Sequence, residues 1–269
     1  MSHEFAVGAS AAPLTCSIVI PCYNDAVLLR RCLRSVQKQT VAPAEVLVVD
    51  NESTDDSESA AKEFGARVVE EPRRGITWAV HTGFNAARGD IFLRTDADTV
   101  LRSDYVAKSM EAWREVLAAE SSQAQGGRGS GRKVVAMTGA ARFELPSPWA
   151  GLLSRVYLGA YSLTAGAALG HAPIFGTNCS IRRSWWLSVR DGVDYSDPVV
   201  HEDLHLSFAV RPDETVAVRD EIGVEMDPRA LRGIRQMARR FYRGFYTIFS
   251  NWRKQSPQQR LWQRLQARR

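Results

Sequence analysis

The first hundred residues switch repeatedly between short apolar runs and amphipathic stretches, and several of the apolar runs end on polar or acidic residues. Cys16 to Ile20 is apolar and β-branched, closed by Pro21, and Val27, Leu28, Leu29, Cys32, Leu33 and Val36 follow at helical spacing. Glu45 to Asp50 reads as a buried strand and Thr54 to Phe64 as a helix stopped by Gly65. Ala66 to Glu70 precedes a helix around Ile76 to Ala87, and Asp90 to Thr95 is a fourth strand leading to Asp96. Continuous apolar strands alternating with amphipathic helices predict an α/β fold whose parallel sheet is covered on both faces. Ligands of such sheets bind beyond the carboxyl ends of the strands. That is where Pro21-Cys22-Tyr23-Asn24, Asp50-Asn51 and Asp96-Ala97-Asp98 fall.

Ser121 to Lys133 lacks apolar periodicity and is rich in Gly and Ser, so it is read as a flexible loop between two halves. The expected organisation is a tail over 1–14, a nucleotide-binding half over 15–120, the loop over 121–133, a second half over 134–228 and a basic helical end over 229–269. In the second half Val134 to Ala140 and Ile174 to Arg182 read as strands, Pro148 to Gly170 as a helix or pair of helices, and Glu202 as the start of a short helix. The 269 residues suffice for one large core or two small ones, and no repeat is evident.

Charge is polarised. Twelve basic residues and no acid lie between Arg229 and Arg269, leaving 23 basic against 30 acidic residues elsewhere. Cys16, Cys22, Cys32 and Cys179 show no zinc or redox spacing, and the first residues lack a secretory layout, which together point to a cytoplasmic protein with free thiols. The weakly polar run from Trp149 to Gly170 is broken by Arg155, so no membrane span is expected.

The strand-end residues suit particular chemistry. A carboxylate such as Asp50 can accept from a base imide or a ribose hydroxyl, and two carboxylates at i and i+2, Asp96 and Asp98, can hold a hard divalent cation. A D-x-D pattern alone is more often a solvated turn. Arg73-Arg74-Gly75 precedes a helix and could offer side chains and amides to phosphate, or be an ordinary solvated pair. His81 reads as a structural histidine. His201 and His205 have an i, i+4 spacing that would suit zinc, with no third ligand evident nearby. Glu202 and Asp203 also read as first-turn acids of a helix.

The order of these motifs resembles the family 2 glycosyltransferases of GT-A fold. It runs Ser17 to Asn24, Val48 to Asp55, Gly89-Asp90-Ile91 through Asp96-Ala97-Asp98, then His201-Glu202-Asp203, and covers roughly residues 15–210. The resemblance implies a Rossmann-like nucleotide half fused to an acceptor half around one mixed, mostly parallel sheet. It also implies an inverting transfer from a nucleotide-sugar, a UDP-sugar being favoured, to a glycan, a lipid-linked or another acceptor. Pro21, Tyr23, Asn24, Asp50, Arg74 and Asp96 would then meet the donor, and Asp96 and Asp98 would hold Mg2+ or Mn2+. Asp203 would be the catalytic base, with Glu202 orienting it or binding an acceptor hydroxyl. Phe175-Gly176-Thr177-Asn178 with Arg182-Arg183 would form the acceptor-side strand. Rival readings are a nucleotidyltransferase of related fold and a non-catalytic membrane- or glycan-binding module.

The basic end carries Met237, Phe241, Phe245, Ile248 and Phe249 along one side of a helix. Gln236-Met237-Ala238-Arg239-Arg240 partly matches the Q-x-x-R-W signature of processive synthases, with Arg240 where Trp is expected. The stripe could pack on the core with its arginines solvated, or the segment could meet an anionic membrane surface. No recognition motif supports nucleic acid as a partner.

Overall fold

The computed structural model describes residues 13–124, 131–145, 149–231 and 233–267. Residues 1–12 of the expected tail, the centre of the expected loop and Pro148 lie outside them.

The β/α alternation appears where the sequence places it. Strand β1 (Cys16–Cys22), helix α1 (Ala26–Gln37), β2 (Glu45–Asp50), α2 (Ser57–Glu63), β3 (Arg67–Glu70), α3 (Ile76–Ala86) and β4 (Ile91–Thr95) follow one another. The four strands pair in parallel in the order β3-β2-β1-β4. Successive side chains of a strand face opposite layers. Ile18 and Ile20 accordingly pack with Leu29 and Leu33 of α1 on one side, and Val19 packs with Ala79, Val80 and Phe84 of α3 on the other.

Beyond β4 the sheet becomes mixed. It continues through β7 (Asn178–Arg182), β6 (Lys133–Phe143), β8 (Glu214–Met226) and β5 (Thr99–Leu101), and β6 with β8 adds a fourth parallel pairing to three antiparallel ones. The expected single mixed, mostly parallel sheet is thus present. Helix α4 (Tyr105–Ala124) packs on the sheet through Trp113, whose indole donates to Ser180 at 2.8 Å. It takes in the first four residues of the expected loop, while Lys133 already belongs to β6. The expected strand from Ile174 begins only at Asn178, because Phe175, Gly176 and Thr177 form a turn.

Helices α5 (Ala150–Leu169), α6 (Arg183–Val189) and α7 (Glu202–Ser207) precede β8, and α8 (Ile234–Lys254) and α9 (Pro257–Gln266) close the chain. The aromatic stripe of α8 does not pack inward as one expected reading had it. Phe241, Phe245 and Phe249 are exposed, and Thr247, Ile248 and Asn251 face the core instead. Two arginines of the basic end are also not solvated. Arg260 donates to the carbonyls of Leu169, Phe208 and Val210, and Arg264 to those of Arg211 and Glu214. Each satisfies carbonyls at the ends of secondary-structure elements and in the segment before β8, and so pins α9 to the body. Among the described residues no helix is long and apolar enough to cross a membrane.

Gly139 lies at a register shift between β6 and β8, where a Cβ would stand 2.2 Å from the Ile222 carbonyl oxygen and 2.3 Å from the Asn178 amide. Neither neighbour can swing away. Gly139→Ala is therefore expected to destabilise the protein by about 1–3 kcal/mol, read as a lower urea midpoint; an unchanged midpoint would mean that this contact relaxes freely.

Candidate active site

The carboxyl ends of β1 and β4, the turn before β7 and the start of α7 converge on one chamber of about 420 Å³. Pro21, Tyr23, Asp96, Asp98, Glu202 and Asp203 all line it, together with His201, Gly176, Thr177 and Arg229. Residues more than a hundred positions apart in sequence thereby share one cavity. Asn24, Asp50 and Arg74 stand outside this lining.

Arg94 forms the chamber's base. It is the one charged residue of β4, buried in an otherwise apolar strand, and its Nη1 meets Glu202 at 2.6 Å while Nη2 reaches Asp96 at 3.4 Å. Burial alone would lower its pKa, but Glu202 and then Asp96 outweigh it, so the guanidinium stays charged. Gly176 makes the arrangement possible, because a Cβ there would lie 2.2 Å from Arg94 Nη1. Nothing in the motif order pointed to Arg94; a lone arginine inside Ile91-Phe92-Leu93-Arg94-Thr95 was the available signal.

The two acids of the D-x-D turn have different partners. Asp96 accepts from the Thr177 hydroxyl at 2.7 Å. Asp98 accepts from Arg229 Nε at 2.6 Å, and the same guanidinium also pairs with Asp25. Arg229 reaches them from a short 3-10 turn after β8, a contact the sequence did not reveal. Burial first, and then Asp96, push the Asp98 carboxyl up to about 6 against the pull of Arg229. Among the described residues no three His, Cys, Asp or Glu side chains are grouped to hold a metal. The available donors are thus two carboxylates.

Glu202 and Asp203 start α7 and are both buried. Asp203 accepts from the Gly176 amide at 2.8 Å, the Leu204 amide at 2.7 Å and His201 Nδ1 at 2.7 Å. Burial would raise its carboxyl, but His201, with help from Arg94 and Gly176, holds it well below the usual carboxylate range. Burial pushes the Glu202 carboxyl up to about 7, with Asp203 and Asp96 adding to it and Arg94 opposing. His201 therefore belongs to the site, whereas His205 is buried and contacts Asn251. His81 sits among Trp78, Trp186 and Tyr195.

The remaining candidates tie the strand-end loops together. Asn24, at φ 49°, accepts from the Thr54 amide at 2.7 Å, and its own amide donates to Ser53 at 3.0 Å. Its side chain thus clips the loop after β1 to that after β2. Arg74 stacks 4.1 Å from the Tyr23 ring centre and pairs with Glu52 at 2.9 Å. Asp50 accepts from the Ser53 amide at 3.3 Å, but its Oδ1 is buried without a partner, as an acceptor awaiting a ligand donor would be.

Residues 17–147 match the model described as glycosyl transferase family 2. The chain has the GT-A fold, and just under half of it carries the likeness to glycosyl transferase family 2. It resembles the mannosyltransferase PcManGT from Pyrobaculum calidifontis, in complex with GDP-Man and Mn2+, at 20% identity and a TM-score of 0.63, over 95% of this chain and 75% of that one. It also resembles mannosyl-3-phosphoglycerate synthase from Rubrobacter xylanophilus at 18% identity and a TM-score of 0.56, covering 90% of this chain and 74% of that one. A third likeness is to glucosyl-3-phosphoglycerate synthase from Mycobacterium tuberculosis, in complex with Mn2+ and UDP-glucose, at 19% identity and a TM-score of 0.51, over 88% and 79% of the two chains. An uncharacterized glycosyltransferase of Mycobacterium bovis is 43% identical over 82 residues, 30% of this chain and 36% of that protein. Glycosyltransferase GlyA of Streptococcus pneumoniae is 34% identical over 95 residues, 34% of this chain but 14% of that protein, so these curated relatives are matched over a minor part of their length.

The His201–Asp203 pair has a measurable signature. Burial would lower the His201 pKa, but Asp203 raises it above the ordinary 6.5. The stability this pair contributes is thus fully present below the unfolded histidine value and is lost as pH rises through the folded one. An NMR titration of the His201 ring is expected to show a midpoint above 6.5 that drops in Asp203→Asn. A midpoint indifferent to that substitution would rule out the ion pair.

Proposed function

We propose that the chain is an inverting, metal-dependent glycosyltransferase that moves a sugar from a nucleoside diphosphate sugar, with UDP favoured, onto a glycan or lipid-linked acceptor. The observation that carries this reading is the single chamber in which Asp96 and Asp98 at the end of β4 share walls with Glu202 and Asp203 at the start of α7. Displacement at a sugar carbon needs negative charge settled on the leaving side and a proton taken up on the attacking side.

On the leaving side, Pro21, Tyr23 and Asp50 are assigned to the nucleoside, with the unpartnered Asp50 Oδ1 as acceptor for a base or ribose donor. Asn24 holds the loop that carries Tyr23, and Arg74 backs the Tyr23 ring. Asp96 and Asp98 would hold Mg2+ or Mn2+, since two hard carboxylates suit a cation that takes its other ligands from water and substrate phosphates. The Asp98 carboxyl, pushed up by burial first and then by Asp96, fits that role, because a cation beside it would favour its charged form. A divalent cation there would neutralise charge on the departing diphosphate.

On the attacking side, an acceptor hydroxyl oxygen bonds to the anomeric carbon from the face opposite the diphosphate. The carbon–oxygen bond to the diphosphate breaks, its electron pair leaves with the nucleotide, and the hydroxyl proton passes to Asp203. His201 and the Gly176 amide fix the Asp203 carboxylate in place, and Glu202 is held against Arg94 beside it.

The same reading sets α8 and α9 against an anionic membrane on its cytoplasmic side. Exposed Phe241, Tyr242, Phe245, Phe249, Leu261 and Trp262 share these helices with exposed Arg235, Arg239, Arg240, Arg253 and Lys254. Apolar and basic side chains together suit a lipid interface.

Two measurements test these assignments. Asp98→Ala is expected to abolish metal-dependent nucleoside diphosphate binding with the fold intact, and Asp203→Asn to keep donor binding while transfer falls by about 10²- to 10⁴-fold; donor binding lost equally in both would place Asp203 on the donor side. In liposome flotation the protein is expected to rise with anionic vesicles at low salt and to be released by added salt, each surface Lys or Arg contributing about 1 kcal/mol. Failure to float at low salt removes the membrane assignment.

A further inference from the structure

A second cavity of about 240 Å³ lies between α5 and α8, beside the reaction chamber. Ala165, Leu204 and Ile248 are buried in it, and Val156, Phe241 and Phe245 line it although each is more than half exposed. Ala160 and Gly244, one from each helix, also line it, and among the described residues nothing beyond the adjoining backbone lies within 4 Å of where a Gly244 Cβ would be. Small residues on both helices thus leave an apolar groove that nothing among the described residues fills.

Four residues, Tyr157, Tyr161, His201 and Arg240, line both the groove and the chamber. The two cavities are therefore neighbours with a common wall, and an occupant of the groove ends beside the acids of α7. At this junction Arg240 is exposed and makes no ion pair among the described residues. Arg243, also on the chamber wall, donates to the carbonyls of Val199 and Val200 and has no carboxylate partner there either. From groove to chamber the environment runs from hydrocarbon, through unneutralised arginine, to the His201–Asp203 pair.

We propose that the groove is the hydrocarbon site of the acceptor, and that the acceptor is a lipid whose chain is joined through a phosphate to a hydroxyl-bearing head. The chain lies between α5 and α8, the phosphate beside Arg240, and the head hydroxyl at Asp203, which takes its proton as the new bond to the sugar carbon forms and the nucleoside diphosphate departs. This rests on the transferase reading above and adds the acceptor to it. A protein partner or a free glycan would use the apolar groove less well: the first need not reach the chamber, and the second has no chain to bury.

The test is equilibrium binding of dodecyl phosphoglycerol and dodecyl phosphoglucose, probes of the phospholipid and the lipid-linked sugar sources, against dodecyl maltoside and glycerol 3-phosphate. At least one phosphodiester is expected to bind the wild-type protein, with affinity falling roughly three- to fourfold for each methylene removed. Gly244→Leu, or Ala160→Leu on the other wall, should weaken it tenfold or more without altering nucleoside diphosphate binding, and Arg240→Gln should weaken the phosphodiester but not dodecyl maltoside. The proposal is overturned if both groove-filling variants bind the phosphodiesters as the wild type does, or if dodecyl maltoside or glycerol 3-phosphate binds as tightly. Nucleoside diphosphate binding is read in parallel. Its absence from the wild-type protein, with lipid binding intact and lost in Gly244→Leu, would overturn the transferase reading and leave the lipid site standing.

Discussion

The buried guanidinium of Arg94 is the interaction on which the site depends. Glu202 and Asp203 are enclosed together and Asp96 stands beside them, and acids crowded in this way would protonate or push apart without a cation among them. Removing a charge from water costs several kcal/mol unless partners offset it, and Arg94 finds Glu202 and Asp96 within reach only because β4 ends where α7 begins. The same constraint explains Gly176. Its missing side chain gives the guanidinium room, and its amide supplies a hydrogen bond to Asp203, so one residue serves both the cation below and the acid above.

This coupling also explains what the sequence could and could not disclose. Strands β1, β2 and β4 were legible because they are largely buried on both faces and therefore read as mostly apolar runs, whereas the half-exposed edge strand β3 was legible from its place between two helices. Strand β8 was not, since it carries Arg219, Asp220 and Glu221 and is only partly covered along its length. The strand-end motifs located Asp96, Asp98, Glu202 and Asp203, and the His201 contact spans only two residues, yet Arg94 and Arg229 depend on tertiary pairings between distant segments, which no local period records. Asn24 shows the converse: a motif residue whose side chain is taken up by the neighbouring loop.

The basic end is instructive for the same reason. As a charge run it looked uniform, but the fold sorts its arginines by the atoms they meet. Arg260 and Arg264 satisfy buried carbonyls, Arg229 settles Asp25 and Asp98, and Arg235, Arg239 and Arg240 stay exposed on α8. The aromatic stripe is sorted likewise. An amphipathic period shows that a helix has two faces, but not which face meets the protein, and here the core takes the Thr247, Ile248 and Asn251 side.

Arg229 links these parts. It belongs to the C-terminal segment by sequence but to the D-x-D turn by contact, and its guanidinium donates to Oδ2 of Asp98. A divalent cation or a diphosphate arriving at this turn must share or replace that pairing, since Asp98 is already mostly enclosed and additional positive charge at the same oxygen would repel Arg229. On the proposed transferase reading, an incoming diphosphate would ease that conflict by offering Arg229 new oxygens. The 3-10 turn of Arg229 ends at Leu231, and α8, which lines the apolar groove, begins at Ile234. The D-x-D turn is thus held by a residue that lies close in sequence to the groove-lining helix, although Asp98 and α8 lie far apart along the chain.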